Sequence, residues 1–132
     1  MKIVIIGASG NVGSSAAFLI AVRRLTDEMV LIDNPRPDAV AFHAWDINTG
    51  VTGRDLLVRA GDYPDMDRAD IVIVAAGSAK VVKDRKEVLP QNLTIIQDVA
   101  KKVKQYCPDA VVITASNPVD ALNYAMFRCS GL

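Results

Sequence analysis

The chain has 132 residues, 51% of them hydrophobic and 23% charged, with 15 basic side chains matched by 15 acidic ones. A chain of this size fits one domain that buries roughly 70% of its unfolded surface. Zero net charge removes the electrostatic signature of a nucleic-acid or membrane partner, and apolar runs such as IVIVAAG (71–77) are too short to cross a bilayer. The N-terminal Lys2 and its short apolar run lead straight into a glycine turn, unlike a secretory leader. Cys107 and Cys129 form no CxxC pair, which points to a reducing cytoplasm and to neither metal nor disulfide.

Along the chain, short β-branched runs alternate with longer amphipathic stretches. KIVIIG (2–7) reads as a strand buried on both faces. A helix follows over 12–25, with Val12, Ala16, Leu19, Ile20 and Leu25 at helical spacing. EMVLID (28–33) is the second strand, and 37–49 a helix with Val40, Ala44 and Ile47 on one face. DLLVRAG (55–61) is a more alternating third strand and DIVIVAAG (70–77) an apolar fourth. Residues 86–106 read as a long helix with Leu89, Leu93, Ile96, Val99 and Val103 inward, DAVVITAS (109–116) as the fifth strand, and 119–129 as a last helix. This alternation predicts an α/β domain: a doubly wound parallel sheet of five strands in the order 3-2-1-4-5. Ligands of such sheets settle at the strand C-termini beside the switch point. GASGNVG (7–13), DNP (33–35), AAGSAK (75–80) and SNPVD (116–120) all fall there.

Gly7, Gly10 and Gly13 lie between a strand and a helix, the context in which a bare backbone and a helix N-terminus cradle a pyrophosphate. Glycines at this spacing also make plain turns. Asp33 adds weight to the ligand reading, because a carboxylate ending strand 2 accepts hydrogen bonds from an adenine-ribose diol. Alone it could equally cap a loop. No GK[ST] follows the glycines, which disfavours a nucleoside-triphosphate site. A carboxylate at that position repels a 2′-phosphate and so predicts NAD over NADP. Arg36 is near in sequence, but Pro35 and Pro37 bracket it and constrain its approach.

In that order, GASGNVG, LIDN (31–34), AAG (75–77), the spacing Arg85-x6-Asn92 and SNPVD resemble the N-terminal half of the lactate/malate dehydrogenase family, over essentially the whole chain. The Gly-x-x-Gly-x-x-Gly form is similar to the malate dehydrogenase branch. The resemblance implies a Rossmann-like NAD-binding domain over 1–132, with NAD as cofactor. Gly7, Ala8, Ser9, Gly10, Asn11, Val12 and Gly13 would hold the pyrophosphate and Asp33 the adenosine ribose. Ala76 and Gly77 would line the nicotinamide side, completed by Asn92 and the main chain at Ala115. Asn117 would contact both substrate and nicotinamide ribose, aimed into the crevice by a cis bond to Pro118. Arg85 would close over the substrate and polarise its carbonyl, a role suited to a permanently charged fork. Without that context Arg85 reads as a solvated helix-start arginine.

The same resemblance marks departures. Where the family reads approximately AGxPRKPGxxR, this chain has AGSAKVVKDR (76–85), one residue shorter and without the Pro-Gly. Lys80 matches the position that selects the substrate, and a cation there favours a second carboxylate: malate/oxaloacetate over lactate/pyruvate. The family's catalytic histidine and aspartate and a further substrate arginine have no counterpart here, so the expectation is a cofactor domain without its C-terminal catalytic domain. No catalytic residue or metal ligand is assigned within the chain. His43, on the helix over 37–49, lies away from the strand ends and reads as partly buried or interfacial. In the family that helix faces a partner subunit, which implies a homo-oligomer; the other partner would be a small 2-hydroxy or 2-keto acid. A stand-alone dinucleotide-binding or redox-sensing module remains the alternative. A sugar-nucleotide epimerase is disfavoured, because Tyr63, Tyr106 and Tyr124 lack a lysine four residues on.

Overall fold

The computed structural model describes residues 1–51, 55–78, 80 and 82–131. Five strands, β1 (Lys2–Ile6), β2 (Glu28–Ile32), β3 (Leu57–Ala60), β4 (Ile71–Val74) and β5 (Val111–Thr114), form one sheet in the order β3-β2-β1-β4-β5. Every pairing is parallel, with Ile3 opposite Met29 on one side and Ile71 on the other, so all strand C-termini open on one edge. The order predicted from the alternation is the one observed.

Successive residues of a strand face opposite sides, and the two faces have separate cores. Ile3, Ile5, Met29, Leu31 and Val58 pack under α1 (Asn11–Arg23) and α2 (Pro37–Gly50). Val4, Ile6, Val30, Ile32, Val72 and Val74 pack under α3 (Leu89–Tyr106) and α4 (Val119–Ser130). Each fully buried side chain of this size contributes about 1.5–3 kcal/mol of transfer free energy, and β1 and β2 are buried from their second residue onward.

Helix α1 departs from its predicted face. Gly13, Ala17, Ile20 and Ala21 are buried, while Val12, Leu19 and Leu25 are each more than half exposed. The cause is proximity. A Cβ on Gly13 would lie 2.4 Å from the Gly7 carbonyl oxygen and 2.8 Å from the Ala8 Cα. A helix this close to the glycine turn admits mainly small side chains on its inner face, and the large apolar ones turn outward. The α2 face, Val40, Ala44 and Ile47, is as expected. In α3, Ile96, Val99 and Val103 are inward, joined by Asn92 and Ala100, while Leu89 and Leu93 pack at the margin.

Two short 3₁₀ turns were not predicted, at Tyr63–Met66 and Arg85–Val88. Each starts at an aspartate, Asp62 or Asp84, that forms a capping box with Asp65 or Glu87 three residues on. The second turn displaces the start of α3 from residue 86 to Leu89, just before Pro90, which is favoured in a first helical turn.

Candidate functional site

The crevice begins where β1 ends. Gly7 adopts φ +82° and lies so close to β4 that a Cβ would sit 2.5 Å from the Ala76 nitrogen. Only glycine suits both demands. The N–H groups of Gly7 and Ala8 donate to the Ile32 carbonyl, and that of Gly10 donates to the Gly7 carbonyl. Ala8 is fully buried and serves as packing. The donors that remain are those of Asn11, Val12 and Gly13, which have no acceptor among the described residues. No side chain caps α1, and no acidic residue lies in its first turn. An uncapped helix N-terminus directs free N–H groups and a positive partial charge at one place, the requirement of an anionic pyrophosphate.

Asp33 ends β2 beside this turn and is 8% exposed. The Ser9 hydroxyl donates to Asp33 Oδ2, the Ser9 N–H donates to the same oxygen at 3.3 Å, and an Arg36 guanidinium nitrogen stands 3.7 Å from it. All hydrogen bonds and ion pairs of the Asp33 carboxylate among the described residues fall on Oδ2. Oδ1 therefore retains its acceptor capacity for an incoming diol. Ser9 was placed on the phosphate turn from sequence, but its hold on Asp33 was not foreseen; it joins residues 24 apart. The prolines flanking Arg36 do not keep it from Asp33. The Arg36 N–H bonds the Asp33 carbonyl at 2.9 Å, turning the chain so that the side chain folds back.

On the other side of β1, Asn92 joins the ends of β4 and β5. It is 4% exposed; its Oδ1 accepts from the Ser78 N–H at 2.7 Å and its Nδ2 donates to the Asn117 carbonyl at 2.7 Å. Ser116, 6% exposed, donates to the carbonyls of Val74 and Ala76, and the Ala115 N–H donates to Val74 at 2.8 Å. The Asn117–Pro118 bond is cis, as expected from SNPVD. Asn92 thus braces the main chain at Ser78 and Asn117, with Gly77 lying against its side chain. Ser78 and Ser116 have no role assigned from sequence; the Ser78 N–H and the Ser116 hydroxyl tie strand ends together, a pattern with no local sequence signature.

Lys80 and Arg85 are exposed, and among the described residues neither forms an ion pair. Arg85 opens the second 3₁₀ turn. Residues 79 and 81 of the AGSAKVVKDR segment lie outside the described residues. His43 is not at the strand ends: it lines a groove between α1 and α2 with Ser14, Ser15, Phe18 and Leu19, and it is half-buried. Phe42 and Trp45 beside it are 66% and 68% exposed. Among the described residues no helix is long and apolar enough to cross a membrane.

Residues 1–132 match the family model described as lactate/malate dehydrogenase, NAD binding domain. A malate dehydrogenase of Pelodictyon phaeoclathratiforme is 37% identical, covering 100% of this chain and 43% of its own length. L-lactate dehydrogenase 1 of Clostridium acetobutylicum is also 37% identical, covering 98% of this chain and 42% of its own. The crystal structure of a lactate dehydrogenase from Cryptosporidium parvum, complexed with lactic acid and nicotinamide adenine dinucleotide, superposes with a TM-score of 0.93 at 33% identity. It covers 99% of this chain and 42% of the other. The chain therefore spans less than half the length of these relatives, which divide between the two substrates.

Proposed function

Since the chain belongs to the lactate/malate dehydrogenase family and matches its NAD-binding domain, we propose that it serves as the cofactor-binding part of a malate-type oxidoreductase. NAD, when bound, supplies the acceptor or donor of the hydride. The residues of the chain bind and orient. The first-turn N–H groups of α1 take the pyrophosphate, and Asp33 Oδ1 accepts from the adenosine ribose. Ala76, Gly77 and the main chain at Ala115 line the nicotinamide end, and Asn92 sets its shape. Asn117 meets the substrate. Arg85 stabilises negative charge on the reacting carbonyl oxygen, and Lys80 pairs with a second carboxylate, favouring malate/oxaloacetate. The observation that carries the cofactor half of this reading is the uncapped N-terminus of α1 beside a carboxylate with one oxygen open.

No proton donor is assigned within the chain. Its single histidine lies in the α1/α2 groove, and general acid–base help is worth about 10²–10⁴-fold. The polypeptide by itself should bind NADH without malate–oxaloacetate exchange. The test is an NADH titration beside NADH oxidation with oxaloacetate and with pyruvate at high protein concentration. Turnover that is lost in His43→Ala would refute the assignment; faster turnover with pyruvate than with oxaloacetate would refute the substrate preference. The placement of His43 equally favours a second reading, a dinucleotide-binding module without chemistry. Substrate-dependent protection of Arg85 from arginine-modifying reagents in the presence of NADH separates the two, because a module has no substrate to protect it.

The reading extends to surroundings. Exposed Phe18, Leu19, Phe42 and Trp45 on α1 and α2 make an apolar face suited to a second copy of the chain, hence a homo-oligomer. The two thiols without a framework suit a cytoplasmic location.

A further inference from the structure

We propose that Arg36 is a second cofactor-selecting residue, which gives the ribose site tolerance for a 2′-phosphate that Asp33 alone would reject. The proposal rests on the reading of Asp33 as the ribose acceptor. A carboxylate at that place raises the free energy of any ligand carrying a phosphate on the 2′-oxygen. Arg36, however, puts a permanent positive charge 3.7 Å from Asp33 Oδ2, leaving the pair neutral. The contact is longer than a hydrogen bond, so the guanidinium is not locked to the carboxylate. The Arg36 side chain is 56% exposed against 8% for Asp33, so the cation stands on the solvent side of the anion. A 2′-phosphate approaching from solvent meets the guanidinium first, and its planar fork matches phosphate oxygens.

The backbone keeps it there. Arg36 is the residue before α2; its N–H bonds the Asp33 carbonyl at 2.9 Å, and Pro37 opens the helix. No carboxylate other than Asp33 forms an ion pair with Arg36 among the described residues. Asn34 donates to Asp62 at 3.2 Å, which ties that carboxylate to another partner. Asp38, in the first turn of α2, is exposed and has no ion pair among the described residues. The inferred property is a moderate NAD preference set by two opposed charges, adjustable in either direction.

NADH and NADPH dissociation constants for the parent, Arg36→Met, Asp33→Asn and the double variant, by fluorescence titration at low and high salt, test this. Arg36→Met is expected to weaken NADPH at least fivefold, more at low salt, and NADH less than twofold. Asp33→Asn is expected to shift the ratio toward NADPH at least tenfold, with most of that shift lost in the double variant. Equal weakening of both cofactors by Arg36→Met, or no change in either, overturns the proposal, as does a shift that persists undiminished in the double variant. An unchanged ratio in Asp33→Asn would instead remove the ribose reading of Asp33. A selective NADPH loss in Arg36→Met would still sustain the role of Arg36.

Discussion

Asp33 is buried and held by the Ser9 N–H and hydroxyl, whereas Lys80 and Arg85, beyond β4, are exposed and have no ion pair among the described residues. Both ends of the crevice were picked out by motif, yet they differ in construction. Beside Asp33, the glycine turn packs so closely on α1 and on the chain leaving β4 that main-chain atoms would obstruct an added methyl group. At the other end Asn92 and Ser116 fix the strand ends, and the Lys80 and Arg85 side chains take no part in that brace among the described residues. On the proposed reading, the difference separates a preformed cofactor site from side chains that would meet the substrate. A site preorganised in this way loses less entropy on binding its ligand.

The comparison breaks first at Gly7. Gly7→Ala combines a positive φ with a contact against β4, and should cost about 3 kcal/mol, lowering the melting point by roughly 10 °C and abolishing NADH binding. A variant that melts within 2 °C of the parent would show that the turn accommodates a side chain at Gly7.

Asn92→Leu comes next. It leaves the Ser78 N–H and the Asn117 carbonyl without their partner, at a cost of about 2 kcal/mol in urea denaturation. If stability were unchanged, the two strand ends would not need their brace.

Ser9→Ala should weaken NADH by about fivefold, the equivalent of ~1 kcal/mol, by letting the Asp33 carboxylate rotate. Calorimetric titration at equal stability would read it, and unaltered affinity would detach Ser9 from the site.

Smaller still is the effect at Asp65, behind the Asn34–Asp62 contact. Its carboxyl is held below its usual value of 3.8, first by the Asp62 N–H and then by the Arg59 guanidinium at 2.8 Å. A depressed carboxylate stabilises the fold above its unfolded-state pKa and loses that contribution as pH falls through its folded-state value. Because the group is substantially solvated, Asp65→Asn should cost about 0.5 kcal/mol at pH 7, a difference that begins to fall below pH 3.8 and is lost as pH drops through the lower folded-state value. A difference constant from pH 7 to pH 3 would contradict this.

The smallest effect is expected at the exposed end. Replacing Lys80 and Arg85 together by alanine should alter stability by no more than about 0.5 kcal/mol and NADH affinity by less than twofold. A loss as large as that of Asn92→Leu would erase the distinction between the two ends.

Reading the sequence located both ends because their signals are local. A β-branched run followed by GASGNVG needs nothing distant to announce a strand and a turn, and Asp33 follows directly on such a run. Asp84 and Glu87 carried a capping-box signal at their three-residue spacing, which would have moved the start of α3 out of residues 86–88. The prolines around Arg36 restrict its backbone angles, but a long side chain retains its own rotamers and reaches back regardless.

What the amino-acid order determined unaided was the set of strands, their parallel arrangement and the edge of the sheet on which the motif residues gather. These follow from hydrophobic periodicity and from the connections that helices of such length permit. The tertiary structure decided which face of α1 is buried, because the approach of Gly13 to Gly7 favours small neighbours whatever the hydrophobic pattern. It also decided which oxygen of Asp33 remains open and which backbone groups Asn92 joins, contacts between residues 14 to 25 positions apart. Periodicity records which side chains avoid water. It carries no record of how closely two backbones meet, and that distance shapes this site.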